Sequence, residues 1–436
     1  MFTVIIHQIR KNQIFWLSII IIKICIIISG FEVKFTSDTL SYYFPFRIFE
    51  GHPHPFRMVI YPEFIHLISS VNKDASGFYA VLIQHILSFL SLYYFYKSLR
   101  ELITFRPLIY LTVLLYSVLP TIYSYDNYLL TESFSVLLMN VYVYYFLKSI
   151  NSGYKDYYLK IAGISILALM LKPIFIYLLI LTSLYLMYIL YIHKFRLMSV
   201  YIAIAFVWFI VLGYCSLNLR KNNYYGLSTI SINNQLANII INGAYVNGED
   251  SELIDVINKS LLEKKSVYQI VFTLNTMTIP QDYVQNYPSF LSPSVHQAIS
   301  ENGKGYAMER LAKFIKKSNL SLIYFKNMLY RTKSFLLAYK KIAIVSLFSF
   351  IIIFIKYFKT NKIPMMITFM VFAIWLNIAS IILFSINEWE RLILPSMPLI
   401  ILVYVYFIDL VLRYVGYESI LNQFKKFKDH IITTIN

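Results

Sequence analysis

The feature that most constrains the fold is a series of apolar stretches, each about as long as a helix that crosses a bilayer. A spanning helix needs about 20 apolar residues to cross the hydrocarbon core. About ten stretches qualify, at roughly 13–31, 78–96, 107–124, 129–147, 157–172, 174–192, 198–216, 337–357, 364–385 and 392–411. Only 14% of the 436 residues are charged, against about a quarter in soluble domains. We therefore expect an all-α polytopic membrane protein.

Lysines and arginines gather in alternate loops, which gives the expected orientation. They are Arg10 and Lys11; Lys97, Arg100 and Arg106; Lys148, Lys155 and Lys160; Lys194 and Arg196; Lys356, Lys359 and Lys362; and Arg413, Lys425, Lys426 and Lys428. By the positive-inside rule this side is the cytoplasm. We attribute the net charge of +17 to these loops and to anionic headgroups, because no soluble basic domain suggests nucleic-acid binding. The predicted location is the cytoplasmic (inner) membrane.

This threading divides the chain into four parts. They are an N-terminal transmembrane module at 1–216 with its first external loop at 32–77, an extracytoplasmic region at 217–336, C-terminal transmembrane helices at 337–412 and a basic cytoplasmic tail at 413–436. Near 306–330, apolar residues recur at helical spacing opposite lysines. That pattern predicts a helix lying on the membrane surface.

Ionisable residues stand at the external ends of several helices, beside apolar sequence where charge is costly. They are Asp38 and Arg57 in the first loop, Asp126 at a helix mouth, Glu132 within the following helix, Lys172 and Arg391. Each also has an ordinary explanation. Asp38 is suited to cap an interfacial helix rich in aromatic residues, and Lys172 to extend toward the headgroups. Their common side favours a functional site.

From residue 14 to about 411, the order of these motifs resembles the GT-C superfamily of bacterial membrane glycosyltransferases, which use polyprenyl-phosphate sugars. The matching positions are Asp38, Tyr42, Gly51 and Arg57-x-x-x-Tyr61-Pro62; Pro120, Tyr123 and Leu129 to Ser133; Lys172-Pro173; and Glu390-Arg391 before Pro395-x-x-Pro398. The family, which includes protein O-mannosyltransferases and the lipid A aminoarabinose transferase, usually has Arg-Pro where this chain has Lys172-Pro173. Asp38 also lacks the adjacent Glu of the O-mannosyltransferases, which puts a protein acceptor in doubt.

The resemblance implies a GT-C fold with about 10–13 transmembrane helices, external loop helices and one larger extracytoplasmic region. It implies an inverting enzyme that moves a sugar from a polyprenyl-phosphate donor to a glycan or lipid acceptor at the outer face. Asp38 would be the base, and Arg57, Tyr61, Asp126, Glu132, Lys172 and Arg391 would bind substrate. Some relatives use a divalent metal and others do not, and Asp126 and Glu132 are its candidate ligands here.

Three other functions fit a chain of this kind. An oligosaccharide repeat-unit polymerase would usually carry more arginines in large external loops. A transporter or flippase for lipid-linked sugars would show charged or broken helices at mid-membrane and related halves. A non-catalytic scaffold would tolerate the loss of Asp38. Nucleotide-driven pumps and soluble-type hydrolases are disfavoured, because the chain has no P-loop, dinucleotide-binding turn, HExxH motif or nucleophile elbow.

Overall fold

The computed structural model describes residues 12–43, 48, 57–153, 157–194, 197–222, 225–228, 230–274, 308–319, 322–360, 365–384 and 389–414. These residues form α-helices joined by short turns and 3₁₀ segments, with no strand among them. The helices are α1 (Gln13–Gly30), α2 (Ser37–Tyr42), α3 (Ile60–Val71), α4 (Ser76–Leu102), α5 (Arg106–Ser117), α6 (Pro120–Tyr123), α7 (Glu132–Asn151), α8 (Tyr158–Leu171), α9 (Ile176–Ile192), α10 (Met198–Asn222), α11 (Ile230–Ile241), α12 (Ser251–Leu262), α13 (Val267–Leu274), α14 (Met308–Asn319), α15 (Leu322–Ala338), α16 (Lys340–Thr360), α17 (Met365–Phe384), α18 (Trp389–Ile393) and α19 (Met397–Tyr414).

Seven helical segments within the described residues are long and apolar enough to cross a membrane. They are Gln13–Gly30, Ser76–Leu102, Glu132–Asn151, Pro173–Ile192, Met198–Lys221, Met365–Leu383 and Trp389–Tyr414. An eighth is counted if Arg106–Ser117 and Pro120–Asn127, which meet at an angle of 50°, form one broken span. The prediction of an all-α polytopic membrane protein is confirmed.

The seven or eight spans found among the described residues are fewer than the ten expected from sequence. The predicted span at 157–172 is a helix of 14 residues, Tyr158–Leu171, which rises about 21 Å at about 1.5 Å per residue and is too short to be counted by itself as a span. The span at 107–124 is broken where Pro120 begins a new helix, since proline cannot continue the hydrogen bonds of the preceding turn. The apolar content of the sequence therefore located these helices, but it did not predict the short length of one or the break in the other.

The bundle is built around α4 and α7, which pack against each other and join most of the other helices to one core. Aromatic rings pack along α4: Phe95 is stacked on Tyr116 of α5, with the ring centroids 4.1 Å apart, and Tyr94 meets Tyr144 of α7 at 5.7 Å. Buried polar side chains are paired across helices, as where the hydroxyls of Tyr142 and Thr182 lie 2.8 Å apart. In a bilayer such pairs hold helices together where water cannot satisfy the polar groups.

A buried carboxylate in the last helix ties the end of the chain to the α4–α5 turn. Asp409 of α19 is fully buried and accepts hydrogen bonds from the backbone N–H of Phe105 at 3.0 Å and from the Thr104 hydroxyl at 3.3 Å. Arg413, one turn further along α19, donates to the same carboxylate at 2.8 Å. Asp409 therefore supplies, from a distant helix, the acceptor that the start of α5 lacks locally.

Helices α11 to α14 form a module of their own with a separate apolar core. Leu311, Phe314 and Ile315 of α14 are buried in that core against α11 and the segment 244–247. The prediction of a membrane-surface helix near 306–330 is wrong for α14, because its apolar face packs against protein. In α15, Leu329 and Tyr330 are exposed, and there it stays a prediction. A side chain at Gly248 would overlap the Phe314 ring, so glycine permits this close approach.

Candidate functional site

The site lies where the ends of spanning helices meet, and Asp38 is at its centre. Asp38 is in the first turn of α2, shortly after the first spanning helix ends. Nη2 of Arg57 donates to Oδ1 of Asp38 at 2.6 Å, and Nη2 of Arg391 donates to Oδ2 at 2.6 Å. Both carboxylate oxygens are thus bound by guanidinium groups, one of them from a residue 353 positions away in the chain.

Glu132 belongs to the same network of ion pairs as Asp38. It is the first residue of α7 and is fully buried. Its Oε1 accepts a hydrogen bond from Nζ of Lys172 at 2.8 Å and lies 3.0 Å from Nε of Arg391. Arg391 therefore bridges the two carboxylates, and five residues predicted from helix ends in separate parts of the sequence form one connected group. We call Asp38, Arg57, Glu132, Lys172 and Arg391 the ionic cluster.

The ionic cluster holds more positive than negative charge. Among the residues that the structure describes, three cations share two carboxylates, so these five side chains carry a net charge of +1. The side chains of Arg57, Lys172 and Arg391 are 12 to 14% exposed and that of Asp38 is 21% exposed. In partly desolvated surroundings charges interact more strongly than in water. The arrangement is therefore chemically suited to bind an anion through Arg and Lys donors.

The charge of Asp38 is fixed by its neighbours. Burial alone would raise the pKa of this carboxyl, but the guanidiniums of Arg57 and Arg391 hold the pKa well below its usual range. The partnership with Asp38 correspondingly raises the pKa of Arg57 despite the opposing effect of burial. In the state described, Asp38 is a poor proton acceptor, since a base needs a pKa near the working pH.

Aromatic residues set the position of Arg57. The Arg57 guanidinium lies 4.9 Å from the centroid of the Tyr42 ring, and its Nε donates to the Ser41 hydroxyl at 2.6 Å. Tyr42 in turn meets the ring of Tyr61 edge-on at 4.7 Å. Burial raises the pKa of Tyr42 to about 12, so its hydroxyl stays protonated. These contacts leave Arg57 little freedom except at its terminal nitrogens.

Tyr61 lies behind the ionic cluster and not at an open surface. It is fully buried, and its hydroxyl donates to Oε1 of Gln84 at 2.6 Å. The Gln84 amide donates to the carbonyls of Asp126 and Tyr128, at 2.9 and 2.7 Å. Tyr61, predicted to bind substrate, thus occupies a supporting position that connects α3 to the turn before α7. Burial raises the pKa of Tyr61 well above its usual value.

Asp126 belongs to a second, deeper polar group beside the ionic cluster. Oδ1 accepts a hydrogen bond from the Ser133 hydroxyl at 2.7 Å, and Oδ2 lies 3.8 Å from Nδ1 of His85. Asp126 and Glu132 line the same small cavity, about 10 Å³ in volume, which has room for about one water molecule. The cavity joins the two groups, although no direct ion pair does so among the described residues.

The structure adds a lysine that the sequence analysis did not select. Lys23 is buried within α1, and its Nζ donates to the Ser88 hydroxyl at 3.2 Å, near Asp126. A lysine in the middle of IIIIKICIII was a usable signal, because an intramembrane charge is a functional candidate by default. Gln84 and His85 were also missed. Single polar residues in a long apolar helix do not indicate their partners.

The described residues do not assemble a site for a divalent metal. Asp126 and Glu132 were the candidate ligands, but no group of three or more His, Cys, Asp or Glu side chains converges anywhere in the described ranges. Oε1 of Glu132 is already bound by Lys172, and Asp126 and Glu132 are the only carboxylates of the described part that line the small cavity beside them. Residues 49–56 and 385–388, which include Gly51 and Glu388, lie outside the described part.

Comparison with protein-family models, curated proteins and solved structures finds no match for this chain. The fold and the site therefore define its class by themselves. The chain is an all-α, multi-pass membrane protein with a largely buried ionic cluster at one end of its spanning helices.

Proposed function

We propose that the protein is an inverting glycosyltransferase of the GT-C type, which takes a sugar from a polyprenyl-phosphate donor. The observation that supports this most directly is the ionic cluster, in which three cations exceed two carboxylates at a helix end. A polyprenyl phosphate lies in the bilayer with its phosphate at headgroup level, where helix ends are found. The cluster thus has the charge and the location that such a donor requires.

The proposed reaction requires two things of the protein: positive charge near the leaving phosphate and one base for the acceptor proton. The acceptor hydroxyl oxygen, or amine nitrogen, forms a bond to the anomeric carbon while the bond from that carbon to the phosphate oxygen breaks. The electron pair leaves with the polyprenyl phosphate, and the acceptor proton passes to a carboxylate. Arg57, Lys172 and Arg391 stabilise the negative charge that builds on the departing phosphate, which lowers the barrier more than it stabilises the bound donor.

Asp38 fits the base role only once its two arginines are drawn away. We infer that in the resting protein Asp38 occupies the place of the donor phosphate between Arg57 and Arg391. When a phosphate binds these guanidiniums, the favourable charges around Asp38 are shared with it. Burial then raises the pKa of the released carboxyl, and Asp38 becomes able to accept a proton. Donor binding would thereby switch on the base.

The test is the Asp38→Asn variant, assayed with a labelled polyprenyl-phosphate sugar and for binding of unglycosylated polyprenyl phosphate. Turnover should fall by about 10²- to 10⁴-fold, the usual contribution of a general base. Phosphate binding should become tighter, because Asn competes less strongly for the two guanidiniums. A merely structural Asp38 would weaken both properties together.

A matched control is available in the same external segment. Asp74 is exposed and follows α3, in a turn outside the ionic cluster. Asp74→Asn makes the same chemical change and should leave turnover and phosphate binding as they are. Near-normal turnover by Asp38→Asn would remove the proposed base, and unchanged phosphate binding by that variant would remove the proposed exchange of partners.

A further inference from the structure

A second concentration of positive charge lies at the other end of the bundle from Asp38. Lys97 of α4, Lys148 of α7 and Lys160 of α8 converge on a group of tyrosine rings. Lys148 is 16 residues from Glu132 along α7, which places it about 24 Å from the ionic cluster at about 1.5 Å per residue. This region is independent of the proposed transfer reaction.

The three lysines are gathered over shared rings. Nζ of Lys97 lies 4.4 Å from the centroid of the Tyr144 ring, and Nζ of Lys148 lies 5.6 Å from the centroids of both Tyr144 and Tyr157. Nζ of Lys160 lies 5.3 Å from the same Tyr157 ring. We call these five residues the lysine–tyrosine cluster. Ring faces attract ammonium groups, which offsets part of the repulsion between the lysines.

Within the described part of the chain, no carboxylate forms a direct ion pair with the lysines of this cluster. None of the three lysines has a carboxylate within 4 Å there, in contrast to the cations of the ionic cluster. Glu101, which lies at the same end of the bundle, accepts a hydrogen bond from the Asn151 amide at 2.9 Å and attracts Lys148 only at longer range. Three neighbouring ammonium groups repel one another, so an anion that binds between them relieves an existing cost.

Backbone features of Tyr157 point to the same kind of ligand. Tyr157 precedes α8 and has φ of 72°, a left-handed conformation that is uncommon for a bulky residue. The first turn of α8 contains no acidic residue, and no side chain caps it. Its free N–H groups therefore add partial positive charge beside Lys160. The positive-inside rule would explain why lysines lie at this end of the helices. It would not explain why the three lysines converge on the same two tyrosine rings.

We propose that the lysine–tyrosine cluster binds the phosphodiester headgroup of an anionic glycerophospholipid. The cluster is at the ends of spanning helices, where headgroups lie, and tyrosines are common at that depth. Leu159, next to Lys160, is 58% exposed and offers an apolar contact that a lipid can use and a free phosphate cannot. Basic pockets between transmembrane helices are suited to such headgroups.

The experiment is a binding titration of fluorescently labelled phosphatidylglycerol to the full-length protein in neutral detergent micelles. The variant Lys97→Gln/Lys148→Gln/Lys160→Gln should bind about 100-fold more weakly, from about fivefold for each lysine near a headgroup. The control Lys259→Gln/Lys313→Gln/Lys316→Gln removes the same charge from exposed positions of α12 and α14 and should bind like the parent. Equal binding by the two triple variants would overturn the proposal.

Two further measurements separate the ligand sources and guard against misfolding. Unlabelled phosphatidylglycerol should displace the probe, whereas phosphatidylcholine and glycerol phosphate at the same concentration should not. Displacement by glycerol phosphate would reassign the cluster to free phosphate compounds and overturn the lipid assignment. If the triple variant does not fold, Lys160→Glu, a change at an exposed residue, should still weaken binding by at least fivefold, and unchanged binding would refute the site.

Discussion

The pairing of Glu132 with Lys172 and Arg391 gives the sharpest test of the ionic cluster. Glu132→Gln keeps the size and one acceptor oxygen but removes the charge. At 2.8 Å and an effective dielectric constant of about 20, the attraction to Lys172 alone is about 6 kcal/mol before desolvation is counted. Desolvation of a fully buried carboxylate offsets much of that gain. We expect the variant to lose about 3 kcal/mol of unfolding free energy, the low end for breaking a buried pair.

A double-mutant cycle isolates the pair from other effects. Lys172→Met removes the partner, and in that background Glu132→Gln should cost about 1.5 kcal/mol less than it does in the parent. Unfolding free energies would be measured by denaturant titration in detergent micelles. Glu390→Gln, at an exposed position beside the cluster, is the matched control and should change stability by less than about 0.5 kcal/mol.

The outcome of that cycle separates three situations. Additive losses would show that Glu132 and Lys172 do not interact as described, and would refute the reasoning about the cluster. A loss of both membrane insertion and activity in Glu132→Gln would assign Glu132 a structural role. A well-inserted variant with reduced sugar transfer would support its part in holding the cations that face the donor.

Three other predictions test separate parts of the molecule. The arginines keep Asp38 ionised in the free protein even near pH 4, about the ordinary pKa of an aspartate, so the pH profile of kcat/KM should show no acidic limb at or above about pH 4. The profile of kcat should show an acidic limb at higher pH, and coinciding limbs would contradict the release of Asp38. Asp409→Asn should lower unfolding free energy by about 1–3 kcal/mol while the folded protein keeps its transfer activity, and lost activity at full stability would contradict a structural role. Gly248→Ala should lower the melting temperature through overlap with Phe314, unlike Gly163→Ala, which meets open space; equal melting temperatures would be the contrary result.

The sequence predicted which charged residues belong to the site better than it predicted their ion-pair partners. Charges at helix ends are visible in a hydropathy pattern, so Asp38, Glu132 and Lys172 could be selected without a structure. Which cation meets which acid could not be predicted. The contact of Asp38 with Arg391 spans 353 positions and depends on how α18 packs beside α2.

The prediction of a membrane-surface helix was wrong at α14 for a different physical reason. An apolar helix face indicates that something must cover it, but lipid and protein cover it equally well. The α11–α14 core provides the covering here, through contacts between segments far apart in sequence. The same limitation applies to Lys23, whose neighbour Asp126 lies about a hundred residues away.

The ion pair between Asp38 and Arg391 also has a consequence for the order in which the site is assembled during synthesis. A ribosome synthesises Asp38 long before Arg391, so the segment that contains Asp38 is made without one of the two arginines that bind it. Until α18 is inserted, Glu132 also lacks the cation that bridges it to Asp38. The ionic cluster is therefore complete only after most of the bundle has been synthesised.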